Sequence, residues 1–158
     1  MNPASDNAQP LTRRTWLWTG LASAAILSPD LLPAQEKATT KPTRQAYDDV
    51  KPQEFSWGWI RWLMNAQIDP QAEMTLGIVQ IEPNQSNPLH VHPNCTEYLH
   101  VLSGTSEHRV GDQWFTLKAG DTLRIPRNVA HKARTGKEAC RTLVVYNTGS
   151  RQMVSVKE

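Results

Sequence analysis

Between Ile60 and Tyr146 the chain is cut into short runs that alternate or stay apolar, each closed by a turn signal. Ile60–Gln67 sets Ile60, Trp62 and Met64 against Arg61 and Asn65, and a period of two is that of a strand. Met74–Ile81, Glu97–Leu102, Trp114–Leu117, Thr122–Ile125 and Arg141–Tyr146 are further runs of the same kind. Asp69-Pro70, Gly104, Gly111-Asp112, Gly120-Asp121 and Thr135-Gly136 separate them. Many short strands at this spacing predict an all-β sandwich or barrel. Heptads, long amphipathic helices and phosphate-binding glycine loops do not appear.

The remaining numbers narrow the function. A chain of 158 residues suits one domain. A formal net charge of +2 argues against a nucleic-acid partner, which calls for a clear basic excess. Two cysteines exclude a disulfide-rich scaffold and a multi-cysteine zinc site. Eleven Pro, eight Gly and six Trp fit a turn-rich fold with a compact aromatic core.

Residues 1–34 read as an address. Arg13-Arg14 precede an apolar run from Trp16 to Leu27, 12 residues long. A bilayer span needs about 20 apolar residues, so no stable membrane span is expected. A buried or amphipathic helix is the bland alternative, but a basic pair ahead of a small-residue apolar core fits a signal better. The pair resembles a twin-arginine export signal, with Trp18 where lysine is usual and a cleavage site near Leu32-Pro33-Ala34. Cleavage after Ala34 leaves 124 residues, and the expected location is the periplasm. That export route is known for carrying folded proteins, which suits a protein that takes up a metal in the cytoplasm. Residues 35–55 read as a polar linker or arm, 56–152 as the barrel and 153–158 as a C-terminal tail.

The chemistry concentrates in four residues. His90 and His92 flank Val91, and positions i and i+2 of a strand share one face. If Pro93-Asn94 turns the chain, Glu97 opens the returning strand toward the same point. His131 follows the turn signal Pro126-Arg127-Asn128. Three imidazoles and a carboxylate make a set for one divalent transition metal, with Fe, Mn, Ni, Zn and Cu all admissible.

Asn84-x5-His90-x-His92-x4-Glu97-x6-Gly104 resembles the first signature of the cupin superfamily, and Gly120-x5-Pro126-x-Asn128-x2-His131 resembles the second. Asn84 and Asn128 stand where the signatures carry glycine, and asparagine tolerates a left-handed turn. Thr135 stands at the closing asparagine of the second signature. The resemblance covers about Trp57 to Gln152 and implies a jelly-roll β-barrel with the metal inside.

Parity describes the pocket. If Glu97 faces inward, so do Leu99 and Val101, and the metal sits beside an apolar wall. Trp62, Trp114, Met74 and Tyr146 are candidates to line or close it, Arg124 a weak one to orient an anion. His100 and His108 read as surface or packing residues. A Cys95–Cys140 disulfide is not expected: a strand of about five residues, roughly 17 Å, separates their ends, and a bridge needs Cα atoms within about 7 Å. Cys95 is expected as a free thiol near the pocket mouth.

These readings point to a small metal-dependent enzyme acting on a small organic molecule, of the dioxygenase, lyase/decarboxylase or sugar isomerase class. The alternative is a non-catalytic periplasmic cupin that binds a sugar or other small molecule. The aromatic stretch Ser56-Trp57-Gly58-Trp59 suggests a homodimer contact, unless it caps the barrel.

Overall fold

The computed structural model describes residues 42–157. The export-signal reading at Arg13, Arg14 and Trp16–Leu27 lies outside the described residues. The strands run β1 Gln53–Phe55, β2 Gly58–Met64, β3 Thr75–Ile81, β4 His90–Val91, β5 Glu97–Ser103, β6 Thr105–Val110, β7 Gln113–Lys118, β8 Thr122–Ile125, β9 His131–Thr135, β10 Cys140–Tyr146 and β11 Val154–Ser155. A six-stranded sheet has the order β1-β2-β3-β10-β5-β8, and a five-stranded sheet the order β11-β4-β9-β6-β7. Every strand pair is antiparallel, and the two sheets make the all-β fold expected from the turn spacing, in the jelly-roll form that the cupin resemblance implies.

Alternation decides which face is buried. In β10, Cys140, Thr142, Val144 and Tyr146 are buried while Arg141, Leu143 and Val145 are less so. Their partners on β5 follow suit, Tyr146 opposite Glu97, Val144 opposite Leu99 and Thr142 opposite Val101. Leu99, Val101, Ile125, Val144 and Tyr146 form the main core, and Trp57, Ile81 and Ala133 a second cluster.

Three stretches depart from the expectation. The first strand stops at Met64 instead of Gln67, because the Asn65 side-chain oxygen accepts the N–H groups of Gln67 and Ile68 and folds the chain into a turn. The sequence TSEHRV of β6 carries no apolar alternation, yet it sits between β7 and β9. Short strands β1 and β11 fall within the segments read as arm and tail, where β1 pairs with β2 and β11 with β4.

Asn84 and Asn128 adopt φ of 57° and 62°, the positive-φ non-glycine positions among the described residues. They are the two places where asparagine replaces glycine in the signatures. Gly104 between β5 and β6, at φ 77°, is different: a Cβ there would strike the Ala139 carbonyl oxygen, so only glycine fits.

Candidate metal centre

The two signatures are tied together by backbone. The Asn128 N–H donates to the His92 carbonyl at 2.9 Å, and Arg127 Nε donates to the Pro93 carbonyl at 2.5 Å. His90 on β4 stands directly opposite His131 on β9. His92 lies two residues after His90, and Glu97 opens β5. One ligand atom from each of His90, His92, Glu97 and His131 lies within 4.8 Å of all the others. His92, Glu97 and His131 are buried and His90 partly so.

Each imidazole is held from behind. Nδ1 of His90 donates to the Pro88 carbonyl at 2.7 Å, Nδ1 of His92 to that of Gln152 at 2.7 Å, and Nδ1 of His131 to that of Val129 at 2.8 Å. A carbonyl can only accept, so each Nδ1 carries the proton and each Nε2 lone pair is turned to the centre. Glu97 Oε2 stands 3.2 Å from Nε2 of both His92 and His131. The His92 Nε2 atom is nevertheless buried without a properly directed hydrogen bond. A buried acceptor of that kind is costly unless a cation or proton meets it.

The electrostatics follow from the same contacts. Burial holds the His90 imidazolium down, helped by the charge of His131, so its pKa falls to about 4 and the ring is neutral near pH 7. Burial opposes ionisation of Glu97, but the hydrogen bond with His131 and the close approach of His92 outweigh it and keep the carboxyl well below the usual range. Burial likewise disfavours charge on His131, and its bond to Glu97 reverses the sign and raises its pKa. Without a cation a proton shared between His131 and Glu97 is therefore favoured over one on a free imidazole. A divalent metal would displace that proton, the usual competition at such sites. The donor set and the orphaned His92 Nε2 fit a transition metal.

Beside the four ligands opens a cavity of ≈ 230 Å³. Trp57, Ile60, Trp62, Val79, Leu99 and Val144 are apolar residues of its wall, and His90, Glu97 and Tyr146 also line it. Tyr146 packs edge-on against His92 with ring centres 4.9 Å apart. Its phenol is buried beside Glu97, and both effects push its pKa well up, so it keeps its proton. The Arg151 guanidinium lies 4.7 Å above the Trp62 ring and 5.1 Å from that of Tyr146.

Of the pocket candidates, Leu99, Trp62 and Tyr146 line the cavity. Val101 is fully buried but packs in the core behind the wall. The expectation for Trp114 is corrected: Phe115 and Leu117 take the inner face of β7, and Trp114 is 44% exposed with Arg134 over its ring at 4.4 Å. Met74 precedes β3 and is exposed, and Arg124 lies on the outer side of β8. Trp57, expected as interface or cap, is buried, lines the cavity and stacks on Phe55 at 4.8 Å. Both cysteines are free, but Cys95 is buried in the core and does not stand at a mouth, and Cys140 is the one that lines the cavity. Sequence reasoning missed Ser106, His108 and Arg151 as cavity residues. For the first two the parity of β6 with Val110, opposite His131, was the available signal.

Residues 77–146 match the family model described as Cupin domain. This stretch carries the cupin fold. The chain is 28% identical over 101 residues to Protein SchB of Streptomyces halstedii, covering 64% of this chain and 73% of that protein. Among solved structures it resembles an oxalate decarboxylase of Lactobacillus farciminis in complex with formate, at 27% identity and a TM-score of 0.64, over 69% of this chain. The match spans only 34% of that longer chain. It also resembles the polyketide cyclase RemF of Streptomyces resistomycificus, at 25% identity and a TM-score of 0.64, over 75% of this chain and 87% of that one. His90, His92, Glu97 and His131 sit in a barrel whose fold resembles those of an oxalate decarboxylase and a polyketide cyclase. No helix among the described residues is long and apolar enough to cross a membrane.

Proposed function

We propose that this chain is a metal-dependent enzyme. His90, His92, Glu97 and His131 hold one divalent transition metal, and the cavity beside them takes a small, largely apolar organic molecule through a carbonyl, enol or phenol oxygen. One observation carries the reading: three imidazoles anchored through Nδ1 turn their Nε2 atoms, one of them orphaned, onto a buried carboxylate at the wall of an apolar cavity.

When bound, the metal supplies Lewis acidity to the substrate oxygen. The chain does the rest. Trp57, Trp62 and Leu99 exclude water from the chamber. Tyr146 keeps a phenolic proton beside Glu97, and Arg151 brings the positive charge that an enolate-like anion needs. A sugar would leave its hydroxyl groups facing aromatic and aliphatic walls, which argues against the isomerase class. Oxalate, a two-carbon dianion, would leave most of the ≈ 230 Å³ cavity unfilled. Lyase or cyclase chemistry on a larger, oxygen-bearing apolar molecule suits the wall best, and the likeness to a polyketide cyclase over most of its length supports it. Dioxygenase chemistry is the second reading and requires iron, copper or manganese.

Two further parts of the proposal concern setting. Arg13-Arg14 direct export to the periplasm, and the half-exposed Phe55 on edge strand β1 offers an aromatic surface to a second copy. The test of the main reading is the metal content of protein purified without chelators or metal-affinity resin, by elemental mass spectrometry. About one metal ion per chain is expected, lost in a His90→Ala/His131→Ala double variant. Wild type that stays empty after reconstitution overturns the enzyme reading and leaves a metal-free binder.

A further inference from the structure

Away from the metal ligands the apolar cavity turns polar again. On the β6–β9 ladder Val110 stands opposite His131, His108 opposite Ala133 and Ser106 opposite Thr135. His108 is therefore one inward-facing step below the His131 row, about 7 Å along the strand. On the facing ladder Glu97–Tyr146 is followed by Leu99–Val144 and then Val101–Thr142, with Cys140 beyond. Ser106, His108, Cys140 and Thr142 all line the cavity and all are buried.

Three of them are joined. The Cys140 thiol donates to Ser106 Oγ at 3.2 Å, and Ser106 Oγ lies 2.9 Å from His108 Nε2. With the Ser106 hydroxyl accepting from the thiol and donating to Nε2, the His108 proton resides on Nδ1. Among the described residues the ring makes no other hydrogen bond. Burial lowers its pKa to about 4, so the ring is neutral near pH 7. A neutral N–H in an apolar chamber is a directional donor for an oxygen acceptor, and a polar cluster that served packing alone would have no reason to border the void.

We propose that His108 and Ser106, backed by Cys140, form a second recognition pole, so that the substrate is an elongated apolar molecule with one oxygen at the metal row and another roughly 7 Å away. The proposal rests on the reading of the four ligands as a metal centre that anchors substrate. His108 is a positioning and specificity residue here and takes no part in holding the metal.

Two probes test it on the cobalt(II)-loaded protein: 2,3-dihydroxynaphthalene, whose paired hydroxyls can reach the metal, and 2,3,6-trihydroxynaphthalene, which adds an oxygen at the far end. Quenching of Trp57 and Trp62 fluorescence reports occupancy of the cavity, and the cobalt absorption band reports engagement of the metal. Wild type should bind the trihydroxy probe about tenfold more tightly, the worth of one well-placed hydrogen bond. His108→Leu and Ser106→Ala should each erase that preference while leaving the dihydroxy affinity in place, and His108→Gln should restore part of it. Ser106→Ala removes a single oxygen and carries the test if His108→Leu does not fold. Equal affinities in wild type, or a preference that survives both variants, overturn the second pole. If neither probe shifts the cobalt band, the metal-anchoring reading fails and takes this proposal with it. A shifted band without a preference removes the second pole alone.

Discussion

Asn128 is a position where one side chain can be tested almost in isolation. Its φ of 62° places it in the left-handed region, and its side chain is exposed. Its N–H donates to the His92 carbonyl, and His131 follows three residues later. Replacement by Gly leaves backbone and hydrogen bond intact and removes the Cβ penalty, so stability should stay within about 0.5 kcal/mol of wild type. Replacement by Val forces a β-branched residue into the same conformation at a cost of about 1–2 kcal/mol. A domain between the 60–100-residue and 150–250-residue classes loses roughly 3–6 °C of Tm per kcal/mol, so the Val variant should melt about 3–12 °C lower in calorimetry. The strain should also reach the centre, because relaxing this turn moves the His92 carbonyl and the start of β9 together. In a chelator competition the Val variant should release metal faster and the Gly variant should match wild type. Val and wild type melting together, or Gly destabilising as much as Val, would refute the argument that backbone conformation selects asparagine here.

Two further outcomes follow from burial. His90 and His108 both have pKa values lowered to about 4 from 6.5, so the unfolded chain takes up protons first and stability falls as pH drops through that interval. His131 acts in the opposite sense, its contribution present below its unfolded value and lost as pH rises through its raised folded one, while that of Glu97 is lost only on further acidification. Through His90 and His108, metal-free protein should melt lower at pH 5 than at pH 7, and His108→Leu should flatten that slope. Identical slopes in the variant would show that His108 is not buried in its neutral form. Burial also raises the pKa of both Cys95 and Cys140, so a thiol reagent should count none in the native protein and two in guanidinium. Native reaction of either would place it at the surface.

What could be read in advance divides along physical lines. The strands with apolar alternation, β3, β5, β8 and β10, were legible to within one or two residues, because burying one sheet face dictates a period of two. The grouping of His90, His92, Glu97 and His131 was legible because strand parity sets His90 and His92 on one face, a turn can return Glu97 to it, and the resemblance to the second cupin signature adds His131. β6 was not, because its inner positions are Ser106 and His108, polar residues satisfied by each other and by Cys140. That pairing depends on a neighbour 34 residues away. Trp114 misled because hydrophobicity alone cannot tell a core aromatic from one covered by the guanidinium of Arg134. Arg151 stayed hidden for the converse reason, a charged residue whose stem and plane lie across Trp62.

The segment after β10 bears on the order in which the molecule can be assembled. Gln152 supplies the carbonyl that sets the His92 tautomer, 60 residues downstream of it, and Asn94 binds the same strap through the Ser150 carbonyl and the Gln152 N–H. His90, Glu97 and His131 all emerge earlier during synthesis. Until the strap docks, the His92 ring is free to rotate and present either nitrogen, and the donor set is one ligand short of its final form. Metal capture at full strength is therefore a late event of folding, and a cation that binds well reports that the last strand of the barrel has closed.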